Sequence, residues 1–340
     1  MRPTFFDPQL QDTLDTQGFA VLDLLDDDQV TALVDAYERL GRAPGDPERA
    51  CISTFHTYDK DYKAATHEAV QAVLAPVLAE TFDRQRALPS NFLVKWPGGF
   101  SGFGLHQDLS LVDEREHRSV EVWIGLCDID DQNGQLWMVP GSHRWMPTLR
   151  GIQSFPFPFG QVTRRIIEDH AVPVPIRAGQ AIVFNHATLH FSMPNRTDDK
   201  RLVAIADLIP EEAEHLHFFG DGDGGVDVYR IGDEFWVDNS PFTLWQPPPD
   251  SQRIGAVDWF TPHELTDDDL DELVRTGRAV VSDASPTGAI NAAKRWCHRC
   301  GSTDLPGDGP DRWTGNVTLL CASCEAAEVD RAPSPAHVGS

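Results

Sequence analysis

The sequence predicts a mainly β fold with flanking helices, a double-sheet jelly roll or sandwich, followed by a small metal-held module. Three observations predict it. Between about 91 and 210, short runs rich in β-branched and aromatic residues are separated by Gly, Pro and Asn turns. Before residue 90 the apolar residues recur instead at the helical spacing i, i+3, i+4, i+7. Near the end, four cysteines stand as two Cys-x-x-Cys pairs.

In chain order, Gly18–Leu22 reads as a short strand. Asp26, Asp27 and Asp28 then cap a helix and favour its first turn, with Val30, Leu33, Val34 and Tyr37 on one stripe. A second helix is expected from Thr66, carrying Val70, Val73, Leu74, Val77 and Leu78, with Pro76 as a kink or a new start. These stripes would cover one side of a sheet. Strands follow at Asn91–Trp96, around His106, at Val120–Cys127, Leu136–Val139, Ala181–Phe184 and Arg201–Ala206. Asn133-Gly134 is a hairpin-type turn and Pro140-Gly141-Ser142-His143 a tight one.

Residues 145 to 170 read as irregular. Phe155, Phe157 and Phe159 there suit either a lid over a pocket or packing on the outside of the barrel. Gly220–Gly225 reads as an acidic loop without the bidentate Glu of a calcium site. A helix is expected from Thr261 through Val274, with Thr261 and Glu264 as capping box and Pro262 in the first turn. Residues 280 to 292 read as a linker.

Composition bounds the function. The chain has 340 residues and a net charge of −25, from 28 Lys+Arg against 53 Asp+Glu. Such a surface opposes a phosphate backbone or an anionic membrane. Apolar runs long enough to span a bilayer are missing, and the first residues lack the apolar core of a signal peptide. A cytoplasmic location is the expectation. Cys297, Cys300, Cys321 and Cys324, with residues 301 to 320 between the pairs, suit a closed tetrahedral zinc site that is structural and supplies the unit's folding energy. The expected organisation is a catalytic domain over 1–290 with its jelly-roll core at about 91–210, a zinc-ribbon-like module over 291–330, and a disordered tail over 331–340.

The chemistry centres on His106-Gln107-Asp108. Strand alternation would put His106 and Asp108 on one face, two-thirds of a facial triad for iron(II). His190 is the candidate third ligand, and Arg201 follows on the next strand. The ordered set His106-x-Asp108, Trp123, Asn133-Gly134-x-Leu136, Pro140-Gly141-Ser142-His143, His190-x-Ser192 and Arg201 resembles the phytanoyl-CoA dioxygenase family over roughly residues 15 to 210.

That resemblance implies a double-stranded β-helix and an iron(II)- and 2-oxoglutarate-dependent oxygenase, with dioxygen as co-substrate and succinate and carbon dioxide as products. His106, Asp108 and His190 would be the iron ligands. Arg201 would pair with the distal carboxylate of 2-oxoglutarate, with Ser192 donating to it and Trp123 beside it. Halogenating relatives lack the carboxylate, so Asp108 favours hydroxylation or a related oxidation. Gly134, Pro140 and Gly141 would set the fold.

Lys95, Trp137 and His186 are candidates for lining the pocket; each also has a bland structural reading. His186 and His190 would share one alternation, and His143 would be structural. The substrate pocket would be built from 53–65, 145–170 and 211–250. The expected partner is a small-molecule or carrier-tethered substrate. Two alternatives stand beside the oxygenase: a metal-binding β-barrel without redox chemistry, and an oxygenase whose zinc unit recruits a protein substrate.

Overall fold

The structure is a computed structural model and describes residues 1–44, 50–97, 101–145, 149–151, 157–220, 225–239, 247–258 and 264–277. The first part holds α1 (Pro8–Gln17), β1 (Phe19–Asp23), α2 (Asp27–Leu40), β2 (Cys51–Ser53), α3 (Lys60–Thr81), β3 (Gln85–Ala87), β4 (Asn91–Lys95) and β5 (Phe103–His106). Next come β6 (Val120–Gly125), β7 (Leu136–Met138), α4 (Thr163–Asp169), β8 (Val172–Val174), β9 (Gln180–Asn185), β10 (His190–Ser192) and β11 (Arg201–Pro210). The last part holds β12 (Leu216–Gly220), β13 (Gly225–Arg230), α5 (Phe235–Asp238), β14 (Arg253–Asp258) and α6 (Asp267–Thr276).

Two antiparallel sheets form the jelly roll. The larger runs β1-β9-β6-β11-β4-β2, with β3 also on β11; the smaller runs β5-β10-β7-β8. Alternation along β11 assigns its faces. Leu202, Ala204 and Ala206 pack outward against the helices, with Leu33 and Tyr37 of α2 and Val70 and Leu74 of α3. Val203 and Ile205 point inward with Trp123, Ile182 and Phe184, and meet Leu136 and Met138 of the smaller sheet. The space between the sheets is therefore apolar except where strand ends bring polar side chains into it.

The helices form where capping and periodicity agree. The α2 N-terminus is a capping box: Asp26 accepts from the Gln29 amide, and Gln29 accepts from the Asp26 amide. The other elements differ from the sequence reading in four places. The helix expected from Thr66 begins at Lys60, capped by Asp59, and continues through Pro76. Irregular residues 145–170 contain α4. Phe157 and Phe159 pack with Trp145 on the outer face of the smaller sheet, the second of the two readings weighed for them; Phe155 lies outside the described residues.

The last helix needs a correction at its start. It begins at Asp267, with Thr266 and Asp269 as its capping box. Glu264 instead accepts from Gln161, and the Leu265 amide donates to Pro158, so these residues tie to the 157–161 segment and cannot start the helix. Residues 211–258, where the sequence reading placed no strand, contain a third antiparallel sheet, β12-β13-β14. Among the described residues, no helix is long and apolar enough to cross a membrane. The four C-terminal cysteines, Cys297, Cys300, Cys321 and Cys324, lie outside the described residues.

Candidate metal centre and adjoining anion pocket

His106 ends β5 and His190 opens β10, and the two are direct partners in the smaller sheet. Their ring centroids are 4.2 Å apart. Asp108 lies just past the end of β5, so strand alternation does not place it; two backbone contacts do. Its amide donates to the His186 carbonyl at 2.9 Å, and its own carbonyl accepts from Arg150 Nε at 2.6 Å. The result is a tight triangle. Nε2 of His106 is 3.7 Å from Asp108 Oδ1, and Nε2 of His190 is 3.6 Å from Oδ2. One ligand atom from each of the three lies within 4.8 Å of the others.

The hydrogen bonds decide which imidazole nitrogen is available. Nδ1 of His106 is 2.7 Å from the Gly104 carbonyl, and Nδ1 of His190 is 2.9 Å from the Thr188 carbonyl. A carbonyl only accepts, so each Nδ1 carries the proton and each Nε2 keeps its lone pair, facing the other ligands. Burial pushes both histidines down to about 4, so both are neutral near pH 7. Burial also raises the Asp108 carboxyl, against the pull of His106. Its Oδ2 is buried without a hydrogen-bond partner. Two neutral imidazoles and one unsatisfied carboxylate oxygen match the donor set of a divalent metal with open positions.

A second polar group lies two residues along β10. Ser192 Oγ accepts from Lys95 Nζ at 2.7 Å, and the Met193 carbonyl accepts from the same amine at 2.5 Å. Lys95 ends β4 directly opposite Arg201, the first residue of β11, and both are 0% exposed. Arg201 Nη1 donates to the Gly134 carbonyl at 3.0 Å. Its Nε and Nη2 are buried without partners. Trp123 supports the guanidinium, whose carbon is 5.0 Å from the ring centroid.

Among the described residues no carboxylate pairs with either cation. Burial lowers Arg201 to about 10, and burial followed by the Arg201 charge drives Lys95 well below its ordinary range. A desolvated guanidinium with two unused N–H donors, beside a buried amine that a bound anion would help to protonate, suits a carboxylate ligand. Gly134 has φ +91°, and a Cβ there would come within 2.5 Å of the Met193 carbonyl, so the turn against this pocket requires glycine.

Of the other candidates, His186 is buried but sits in the turn after β9, not on one strand with His190. Its Nδ1 meets Ser119 Oγ at 2.8 Å and its Nε2 meets Asp207 Oδ1 at 3.0 Å. Burial alone would lower it; the hydrogen bond and charge of Asp207 more than offset this and leave it raised. Trp137 lies on the other face of the smaller sheet. Its chain neighbour Met138, the register partner of His190, points inward, while Trp137 stacks on its own partner Phe191 outside, at 5.7 Å and 16°.

Sequence reasoning passed over Glu121, whose carboxyl lies within 4.8 Å of ligand atoms of Asp108 and His186. Burial, then the Asp108 and Asp207 charges, holds it well above the usual carboxylate range. A signal was present: Glu121 is an acid inside an apolar strand, on the same alternation as Trp123. Arg150 was also missed; its position in an irregular stretch offers no periodicity to read.

Comparison with known proteins supplies the family. The model for phytanoyl-CoA dioxygenase (PhyH) matches residues 14–203, more than half of the chain. Phytanoyl-CoA dioxygenase domain-containing protein 1 of Mus musculus is 27% identical over 210 residues, covering 58% of this chain and 71% of that protein. The Danio rerio protein of the same name is 28% identical over 170 residues, covering 46% of this chain and only 55% of the relative. Among solved structures, the non-heme α-ketoglutarate-dependent carbocyclase SnoK from nogalamycin biosynthesis is 21% identical with a TM-score of 0.46, over 63% of this chain and 90% of that one. HygX from Streptomyces hygroscopicus, with nickel and 2-oxoglutarate bound, is 19% identical with a TM-score of 0.43, over 61% and 88%. The family match spans both histidines, Asp108 and Arg201, the residues that build the two adjoining sites, and the chain belongs to the phytanoyl-CoA dioxygenase family.

Proposed function

We propose that the protein is an iron(II)- and 2-oxoglutarate-dependent dioxygenase that hydroxylates, or otherwise oxidises, an unactivated C–H bond of a small-molecule or carrier-bound biosynthetic substrate. The observation that carries this reading is the adjacency of a three-ligand face and a buried arginine with no acidic partner among the described residues, linked by His190 and Ser192 on one short strand. Family membership supports it.

His106, Asp108 and His190 would hold the iron and leave three coordination positions for other ligands. Together, bound iron(II), 2-oxoglutarate and dioxygen supply the oxidising power, with succinate and carbon dioxide as co-products. The protein's own part is placement. Arg201 and Lys95 would orient the distal carboxylate of the co-substrate, and Ser192, bonded to Lys95 and two residues beyond His190, would stand beside it. Trp123, Val203 and Ile205 wall the space between the sheets and keep water from it. Asp108 itself fills the position that a halide would need, which favours hydroxylation over halogenation.

The direct test is turnover: iron(II), oxygen and 2-oxoglutarate with candidate substrates, read as succinate formed. An anaerobic titration tests the site independently. A visible charge-transfer band that needs both iron(II) and 2-oxoglutarate supports the reading; metal binding with no such band favours a non-redox metal barrel. The spacing of Cys297, Cys300, Cys321 and Cys324 supports a separate structural zinc. Elemental analysis should find it, and Cys300→Ser should remove it.

A further inference from the structure

Asp108 is a ligand whose backbone no strand fixes, since β5 ends at His106. Its amide is held by the His186 carbonyl, and its own carbonyl is held by Arg150. The Arg150 Nε donates to the Asp108 carbonyl, its Nη1 donates to Glu114 Oε2 at 2.9 Å, and its Nη2 reaches Glu114 Oε1. The Arg150 backbone is bonded to the same loop. Its amide donates to Ser110 Oγ at 3.1 Å, and its carbonyl accepts from the Ser110 amide at 2.9 Å. One side chain thus grips the 108–114 loop at its first residue and near its last. Arg150 is only 8% exposed, so these bonds are shielded from water. Leu149, its neighbour, packs on Leu216, Phe218, Val226 and Val228 of β12 and β13, which holds the arginine in place.

We propose that Arg150 is the positioning residue of the metal ligand Asp108: its guanidinium, braced by Glu114, holds the Asp108 carboxylate at the distance from His106 and His190 that a metal requires. The inference rests on the reading of those three residues as a metal site. An arginine is needed because its three nitrogens serve three acceptor atoms on two residues at once. A lysine keeps the charge but has one ammonium to divide between the Asp108 carbonyl and Glu114.

The test uses the full chain, with Mn(II) for affinity and Co(II) for ligand geometry. Arg150→Lys should bind Mn(II) at least tenfold more weakly and should change the Co(II) ligand-field spectrum. Glu114→Gln, which keeps the arginine but loosens its brace, should weaken Mn(II) about threefold. A purely structural role would lower the melting temperature and leave the Co(II) spectrum as in the wild type. Wild-type affinity and an unchanged spectrum in Arg150→Lys would overturn the proposal. If that variant does not fold, Glu114→Gln decides it by the same two measurements. Wild-type protein that binds no Mn(II) would sink the metal-site reading itself, and the proposal with it.

Discussion

Lys95 and Arg201 face each other across neighbouring antiparallel strands, in register, both with no exposed surface and neither with an acidic partner among the described residues. Two charges directly opposite each other on a sheet would repel, and burial adds to the cost, so the Lys95 amine is pushed well below its ordinary range. Such a pair is retained at a cost to the fold. It makes sense where a dicarboxylate co-substrate supplies the missing negative charge.

Arg201→Lys should separate charge from geometry. A lysine preserves one cation but not the fork, and the shorter donor set leaves the carboxylate with one bond fewer. Losing a charged hydrogen bond of about 1.5–3 kcal/mol corresponds to roughly 10- to 100-fold weaker 2-oxoglutarate. The expected result is a raised KM for 2-oxoglutarate with metal affinity unchanged, measured by succinate production and by Mn(II) titration.

Lys95 leads to a proton-linkage prediction. Burial and Arg201 hold its amine well below the ordinary lysine range, so binding a dianion beside it should draw in a proton. Calorimetry of 2-oxoglutarate binding in buffers of different ionisation enthalpy should show uptake of up to one proton near neutral pH. Lys95→Met should abolish that uptake and weaken 2-oxoglutarate about tenfold. Buffer-independent enthalpy in the wild type would contradict it.

Asp108→Ala should have opposite effects on the metal and on the fold. The carboxylate is desolvated, and its Oδ2 makes no hydrogen bond, so it contributes little to the stability of the metal-free chain. The metal-free variant should melt no lower than the wild type. Its affinity for Mn(II) should fall at least 100-fold, because two imidazoles are all that remain.

Two buried histidines away from the metal centre predict how stability depends on pH. His215 accepts from Trp236 Nε1 at 3.3 Å, and the His217 ring packs against Phe235 at 5.3 Å. Burial lowers both to about 4, for His215 against the pull of Asp233. Unfolded, each would titrate near its ordinary value of about 6.5. Below that pH the unfolded chain takes up protons that the folded chain refuses, so stability falls as pH drops from about 6.5 to 4. The loss reaches about 3 kcal/mol per histidine at the lower end. His217→Phe should flatten the slope by about one proton, read as melting temperature against pH; an unchanged slope would remove His217 from the explanation.

The legible part of the molecule was local. Helix α2 could be read because Asp26, Gln29 and the Val30–Tyr37 stripe all lie within one short window. The candidate metal triad could be read because His106 and Asp108 are neighbours in sequence, and because the order of motifs around His190 and Arg201 resembles a family. The α6 start was misread for the same local reason. Two capping patterns follow one another there, Thr261 with Glu264 and Thr266 with Asp269, and only the bonds from Gln161 to Glu264 and from Leu265 to Pro158 choose between them.

By itself, the sequence marked the main helical and β regions and singled out His106, Asp108 and His190, whose ligand atoms the fold brings within 4.8 Å of one another, and Arg201, which it buries. Tertiary structure alone decided that Lys95 faces Arg201 and bonds Ser192, that Trp137 faces outward, that His186 binds Ser119 and Asp207, and that Arg150 reaches Asp108. Alternation along a strand divides its side chains between two faces, but strand register decides which residues of different strands meet, and sheet packing decides which face is inside. Both depend on contacts between residues far apart in the chain, which no local window contains.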